Sequence, residues 1–166
     1  MDPLGDVEVF KRLAVAMAIG AVLGFERERA DKPAGMRTYM LVVEGAALFM
    51  ICGLLISNQM ALEGRISDPG RIASTVIQGI GFIAAGVIIN AGREVIGLTT
   101  AAGIWVAAAL GLLVGAGFIA IAIAAGAATL IALVVLQLVE SHVIGSKPKP
   151  GKENSRNQHQ NQSDDQ

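Results

Sequence analysis

The stretch Gly24-Phe-Glu-Arg-Glu-Arg-Ala-Asp-Lys-Pro-Ala-Gly-Met-Arg37 decides the fold, because it concentrates charge between two long apolar runs. Its charged residues are Glu26, Arg27, Glu28, Arg29, Asp31, Lys32 and Arg37. Helical spacing allows Glu26 to pair with Arg29, and Glu28 with Lys32, before Pro33 and Gly35 end the helix. The pattern predicts an elbow at the membrane surface. Two interpretations stay open for the elbow (residues 26–37): a solvated turn, or a fixed ion-pair network that forms a contact surface.

The composition on both sides of the elbow is typical of packed transmembrane helices. The 166 residues are 53% hydrophobic but only 4% aromatic, they include 20 glycines, and their mean hydropathy is +0.57. Small residues let helix backbones approach closely within a bilayer. The formal net charge of -1 provides no field that would attract nucleic acid, so we expect the lipid bilayer and not nucleic acid as the surroundings.

Five apolar runs are predicted to cross the bilayer as helices. They cover about residues 10–25, 38–56, 71–89, 97–115 and 117–139. Two of them carry small residues at helical spacing, namely Ala16, Gly20 and Gly24 in the first run and Gly103, Ala107, Gly111 and Gly115 in the fourth. Such seams indicate close helix packing or a homo-oligomer. The expected fold is an all-α, polytopic bundle of five transmembrane helices over residues 1–144. A disordered polar tail is expected over 145–166, with no second folded domain.

The distribution of basic residues predicts the orientation. In a five-span arrangement the elbow, the link that contains Arg93 and the lysines of the tail fall on one side of the membrane. Cytoplasmic loops carry an excess of Lys and Arg. We therefore expect a multi-pass plasma-membrane protein with its N-terminus outside and its C-terminus in the cytoplasm.

Polar residues within or beside the spans are the candidate sites. Glu44 lies about two turns into the second span, where a carboxylate is costly and faces protein or water. It is a candidate proton, Mg²⁺ or other cation site, or alternatively a structural partner of Arg37. Asp68 is expected to cap the third span, and Thr99 or Thr100 the fourth. Trp105 is expected to fill core space with its indole N–H bonded to a neighbour, with stacking on a ligand as the alternative.

Several blocks of this sequence together resemble one family. They are Leu23–Arg29, Lys32–Thr38, Gly45–Phe49, Asp68–Ala73, Gly79–Phe82 and Gly97–Ala102, followed by Trp105. In this order, over about residues 10–135, they are similar to the MgtC/SapB family of bacterial inner-membrane proteins. The resemblance implies a five-span domain and a role in magnesium homeostasis, growth at low magnesium and survival of intracellular pathogens. It also implies regulation of membrane energetics through the F-type ATP synthase as a partner.

The resemblance also supplies a set of candidate functional residues. They are Glu26, Arg27, Glu28, Arg29, Lys32, Arg37, Thr38, Asp68, Arg71, Thr99, Thr100 and Trp105. Two functions remain in competition: a non-enzymatic membrane regulator that acts through helix contacts, and a transporter or channel for Mg²⁺ or another cation. An enzyme is the poorest interpretation, because the sequence offers no Ser/His/Asp set, no histidine cluster and no phosphate-binding loop. No cofactor is expected beyond Mg²⁺.

Overall fold

The computed structural model describes residues 5–91 and 94–143, and their side chains except those at 91, 94 and 140–143. The described residues form α1 (Asp6–Arg29), α2 (Met36–Leu62), α3 (Gly70–Ala85), β1 (Ile89–Ala91), β2 (Glu94–Ile96), α4 (Leu98–Gly115) and α5 (Ile119–Val143). They belong to two compact units, and the division in the sequence lies between Ile131 and Ala132. The packing described below is that of the first unit. The predicted tail at 145–166 and the domain boundary at 144 lie outside the described residues.

The helical prediction is confirmed, with five helices in the described ranges. Three of them are long and apolar enough to cross a membrane, over Met36–Leu62, Leu98–Gly115 and Ile119–Val139. The third predicted span is shorter than expected, because α3 ends at Ala85 and the chain then forms a small antiparallel hairpin. In this hairpin Ile89 is opposite Ile96. The β-branched run Val87-Ile88-Ile89 before Asn90 favours strand over helix, a signal that the sequence reading missed.

The first small-residue seam packs α1 against α2, as predicted. Ala16, Gly20 and Gly24 are all buried. A Cβ placed on Gly20 would lie 2.6 Å from the Cα of Met40, and one on Gly24 would overlap the Cα of Met36. Real Cβ atoms essentially never approach another atom within 3.0 Å. The two backbones are therefore in direct contact, which only glycine permits at these positions.

The second seam packs α4 against a neighbouring face of α2. A Cβ on Gly111 would lie 2.8 Å from the Cβ of Ala46, and one on Gly115 would lie 2.6 Å from the carbonyl oxygen of Ala47. Ala107, on the same face, is fully buried. The first half of α2 is thus at backbone distance from both α1 and α4.

The contacts also give the direction of the helices. The end of α1 meets the beginning of α2, at Gly24 and Met36, so these two helices are antiparallel. Gly103 and Gly115 follow Tyr39 and Ala47 in the same order, so α4 runs parallel to α2. Consequently the elbow and the beginning of α4 lie at one end of the bundle, and the beginning of α1 and the end of α4 lie at the other.

A local backbone motif ends α1 and creates the elbow. Asp31 has a left-handed conformation with φ of 57°. Its N–H donates to the carbonyl of Glu28 at 3.1 Å, and the N–H of Lys32 donates to the carbonyl of Arg27 at 3.1 Å. This pair of bonds is the Schellman motif, here with aspartate in the position that usually holds glycine. The helix therefore stops at Arg29, short of Lys32 and Pro33.

Candidate functional site

The elbow contains a buried ion pair. The guanidinium of Arg27 binds the carboxylate of Glu26 through two hydrogen bonds, from Nε at 2.5 Å and from Nη2 at 2.8 Å. Arg27 is only 2% exposed, and the side chain of Glu26 is 12% exposed. The predicted pairing of Glu26 with Arg29 is therefore wrong. Because a buried ion pair is costly to desolvate unless it is well bonded, this bidentate geometry is what allows both charges to be buried.

Glu28 has a structural role that the sequence reading did not predict. Its Oε2 accepts a hydrogen bond from the N–H of Met36 at 3.1 Å, across the turn between the two helices. The carboxylate thus caps the N-terminus of α2, where a negative charge is favourable. The predicted pairing of Glu28 with Lys32 is wrong, because α1 ends before Lys32 and the two side chains no longer share a helix face.

Three basic side chains of the elbow remain exposed. They are Arg29, Lys32 and Arg37, and none makes an ion pair or a side-chain hydrogen bond with any residue that the structure describes. Of the two interpretations that the sequence left open, each holds for part of the elbow. Glu26, Arg27 and Glu28 form a fixed network, whereas these three cations form a free, positively charged surface.

Tyr39 lies beneath the elbow and is buried between α1 and α4. It is 1% exposed, and its hydroxyl has no hydrogen-bond partner among the described residues. A Cβ on Gly103 would overlap this hydroxyl, so the phenol ring extends to the backbone of α4. Thr100 is buried one turn earlier on the same helix. The predicted capping role of Thr99 or Thr100 is wrong, because α4 begins after Gly97 (φ of 94°) with no side-chain cap.

Glu44, the intramembrane acid, makes no hydrogen bond or ion pair with any described residue. The pairing with Arg37 that the sequence left open is not formed. Glu44 is partly exposed and does not line the groove described next. Among the described residues, no cluster of three or more His, Cys, Asp or Glu side chains could hold a metal ion.

A groove of about 770 Å³ lies between α2 and α3. Its lining residues are Arg37, Thr38, Leu41, Val42, Gly45, Ala46, Phe49, Ile72, Thr75, Val76, Gly79, Ile80 and Ile83. Ile72, at the beginning of α3, contacts Gly53 in the second half of α2, so the two helices are antiparallel and the groove follows both lengthwise. Arg37 and Thr38, two of the predicted site residues, lie at the elbow end of this mostly apolar groove.

The remaining predicted residues do not join the elbow. Asp68 and Arg71 lie at the beginning of α3, near the opposite end of the bundle. Oδ1 of Asp68 accepts a hydrogen bond from the N–H of Gly70, the first residue of α3, at 2.9 Å, but the N-cap position is held by Pro69 and not by Asp68 as predicted. Arg71 is exposed.

Trp105 departs from its prediction. It is 50% exposed on α4 and does not fill the core. The glycine and alanine face of α4 packs against α2, and this leaves no room for an indole on that face.

Arg12 is a polar anchor that the sequence reading did not select. Its Nη1 donates to the carbonyl oxygen of Gly115 at 2.7 Å, and its Nε donates to Oε1 of Glu8 at 3.0 Å. The side chain therefore joins the first turns of α1 to the free carbonyls at the end of α4. The spacing of Glu8 and Arg12 was a detectable signal for the ion pair, but the contact with α4 was not.

The sequence profile described as the MgtC family matches residues 13–142, which is well over half of the chain. The chain belongs to the MgtC family. The match includes the elbow, the glycine seams and the groove, so all three lie within the MgtC-type domain. The resemblance drawn from the sequence blocks is thereby confirmed.

Curated relatives, some named MgtC and some named otherwise, support the assignment. The chain is 41% identical over 128 residues to "Putative magnesium transporter YhiD" of Escherichia coli strain K12, covering 76% of this chain and 59% of that protein. It is 44% identical over 107 residues to "Protein MgtC" of Brucella abortus strain 2308, covering 64% and 42%. An uncharacterized Synechocystis protein is 39% identical over 136 residues, covering 82% and 55%.

The chain thus spans less than two thirds of the length of these relatives. No solved structure matches it.

Proposed function

We propose that this MgtC-family chain crosses the bacterial inner membrane five times, with the elbow on the cytoplasmic side. Three helices support this directly by length and composition. Helix α1 has charges at both ends, and its uncharged stretch 13–25 is about 20 Å long at 1.5 Å per residue. The bonds of Arg12 and Arg27 to neighbouring groups reduce the cost of placing these charges near the hydrocarbon. The free cations of the elbow support a cytoplasmic position.

Within that membrane, we propose a non-enzymatic role in magnesium homeostasis and adaptation to low magnesium, exerted through helix contacts and not by conducting ions. The observation that carries the proposal is the pair of glycine seams. Helix α2 is in backbone contact with α1 at Gly20 and with α4 at Gly115, so no water-filled path fits between these helices. The names of the MgtC and YhiD relatives support the link to magnesium.

The direct test is a flux measurement on the purified protein. Protein reconstituted in liposomes that contain a Mg²⁺-sensitive dye is expected to give the background rate of protein-free liposomes, across a range of imposed Mg²⁺ gradients. A low-magnesium growth assay of the deletion strain, complemented with the same gene, provides the matching test of function in cells. Growth rescue together with background flux supports the regulator. A protein-dependent Mg²⁺ flux that scales with the amount reconstituted would exclude it.

A cation transporter is the second candidate, favoured by Glu44. An uncompensated carboxylate within a transmembrane segment marks many ion pathways. If this is the function, Glu44→Gln abolishes both flux and growth rescue. Glu63→Gln is the matched control, because Glu63 is an exposed acid just beyond the end of α2. Unchanged growth rescue by Glu44→Gln, with flux at background, leaves only the regulator.

For the regulator, we propose the F-type ATP synthase as the partner, as the family resemblance implies. The free cations Arg29, Lys32 and Arg37 support a contact on the cytoplasmic side. The test is ATP-driven proton pumping in inverted membrane vesicles, with and without expression of the protein. Pumping is expected to fall on expression and to recover when all three cations are replaced by glutamine. If pumping is unaffected by expression, this partner is excluded, while the role in magnesium homeostasis is still tested by growth.

A further inference from the structure

The groove between α2 and α3 combines two features that point to one kind of ligand. Its walls are almost entirely apolar, and its volume of about 770 Å³ is that of a typical small-molecule site. At its elbow end lies the guanidinium of Arg37, which is exposed and has no ion-pair partner among the described side chains. An apolar cleft with a single cation at one end is complementary to an amphiphile whose head group is an anion.

The length of the groove agrees with a lipid chain. On α2 the lining residues extend from Arg37 to Phe49, which is about 18 Å at 1.5 Å per residue. One leaflet of the hydrocarbon core is about 15 Å thick. A chain that begins at the level of the elbow would therefore reach the middle of the bilayer inside the groove. Gly45 and Gly79 line the groove and leave open space, since a Cβ at either position would meet no atom within 4 Å.

The charge around Arg37 favours an anionic head group over a neutral one. Arg29 and Lys32 are also exposed at the elbow. Of the acids of the elbow, Glu28 accepts a hydrogen bond from the N–H of Met36, Glu26 is paired with Arg27, and Asp31 also has an interaction of its own. Basic side chains at the cytoplasmic surface attract anionic lipids. We propose that the groove is a binding site for one anionic phospholipid, with its phosphate on Arg37 and one acyl chain between α2 and α3. The proposal does not depend on whether the protein conducts ions.

The test measures lipid binding by native mass spectrometry. Detergent-purified protein is incubated with phosphatidylglycerol and phosphatidylcholine at equal concentration, and the bound lipids are counted. We expect one phosphatidylglycerol to bind about tenfold more tightly than phosphatidylcholine, because the choline cation offsets the phosphate charge that faces Arg37. Arg37→Gln removes this preference, whereas Arg71→Gln, an exposed arginine at the beginning of α3 that does not line the groove, retains it. Equal retention of both lipids by the native protein would overturn the proposal.

A second pair of variants tests the apolar half of the site. Gly79→Leu fills the groove, and Gly81→Leu adds the same side chain to the same helix at a position that is equally open but does not line the groove. We expect Gly79→Leu to reduce binding of both lipids by about tenfold or more, because filling the groove excludes the chain, and Gly81→Leu to have no effect. Equal effects of the two variants would overturn the proposal.

Two other occupants have distinct outcomes in the same experiments. If a second copy of the chain fills the groove, Gly79→Leu converts a dimer to a monomer while the lipid count is unchanged, and this overturns the proposal. If the site binds only an anion, inorganic phosphate in excess displaces the lipid completely, and this also overturns it. Retention of phosphatidylglycerol in the presence of excess phosphate, by a protein whose oligomeric state is the same in both glycine variants, supports it.

Discussion

The contact between Tyr39 and Gly103 allows a quantitative test of the packing between α2 and α4. A methyl group in Gly103→Ala would overlap the Tyr39 hydroxyl, whereas the next ring atom, Cζ, is 3.4 Å away, where ordinary contact begins. The hydroxyl oxygen is fixed on the axis of the ring and cannot move aside. We therefore expect Gly103→Ala to reduce the free energy of unfolding by about 2 kcal/mol, as overpacking of a core does. Tyr39→Phe removes the overlapping atom and also a buried hydroxyl that has no partner among the described residues. That change alone is expected to be stabilising by about 1 kcal/mol.

The test is a double-mutant cycle of four proteins: the native protein, Gly103→Ala, Tyr39→Phe and the double variant. We expect Gly103→Ala to destabilise the native protein but to be tolerated in Tyr39→Phe, with a coupling of about 2 kcal/mol, a usual size for residues in contact. The free energy of unfolding is measured in mixed micelles by titration with SDS, followed by the far-ultraviolet circular dichroism of the helices. The greater helix propensity of alanine cancels in the cycle, because it is present in both backgrounds.

A second glycine of the same seam provides the control. Gly111→Ala places its methyl group against the carbonyl oxygen of Val43 and within 2.8 Å of the Cβ of Ala46, and neither atom depends on Tyr39. Its cost should therefore be the same in both backgrounds. If Gly103→Ala is as costly in Tyr39→Phe as in the native protein, the hydroxyl is not the obstacle, and the described packing of α4 on α2 is wrong.

Three further predictions concern the polar contacts of α1, each measured by the same unfolding titration. Arg27→Gln should cost about 3 kcal/mol, because it leaves the carboxylate of Glu26 buried without its partner. Glu28→Gln should cost at most about 1 kcal/mol, since an amide oxygen still accepts the first N–H of α2 but carries no charge. Arg12→Leu should cost about 1–2 kcal/mol by removing the donor to the last carbonyl of α4. Arg29→Gln, at an exposed position, is the common control, and equal costs for all four variants would contradict the three assignments.

The helices and their seams were predictable from the sequence, because a small residue at every fourth position has a simple consequence in lipid. Ala16, Gly20 and Gly24 had to form a flat face, and such a face needs another helix against it. The sequence did not indicate which helix packs against that face. That α2 receives both seams depends on the order in which the helices pack, and no local pattern in Tyr39 or Val43 indicates it.

The elbow was predicted in position but not in its bonds. Spacing rules assume that a helix continues, and on that basis they pair residues three or four apart. Helix α1 ends at Arg29 because Asp31 adopts a left-handed conformation, which aspartate tolerates less often than glycine. Once the helix ends there, Glu28 is free to turn toward the N-terminus of α2. The earlier helix end thus changed the partner of Glu28, whereas Glu26, which remains in the helix with Arg29, pairs instead with the buried Arg27.

Trp105 illustrates the opposite error, in which residue type was given more weight than its helix face. A large aromatic side chain was assigned to the core, yet the glycine-rich side of α4 faces α2 and leaves the indole 50% exposed. In a chain that spans a membrane, the outer surface of a helix is as apolar as its packed surface. Hydrophobicity therefore cannot distinguish the two faces, whereas the position of small residues can.

The structure separates the charges of the elbow into two groups that require different experiments. Glu26, Arg27 and Glu28 are bonded within the bundle, so a substitution there changes the free energy of unfolding before it changes any contact with a partner. The exposed cations, represented by Arg37, make no such bonds with the described residues, so we expect their replacement to leave the bundle intact. Loss of function on changing Arg27 is therefore evidence about folding, whereas loss of function on changing Arg37, at unchanged stability, identifies the surface at which a lipid or a protein partner binds.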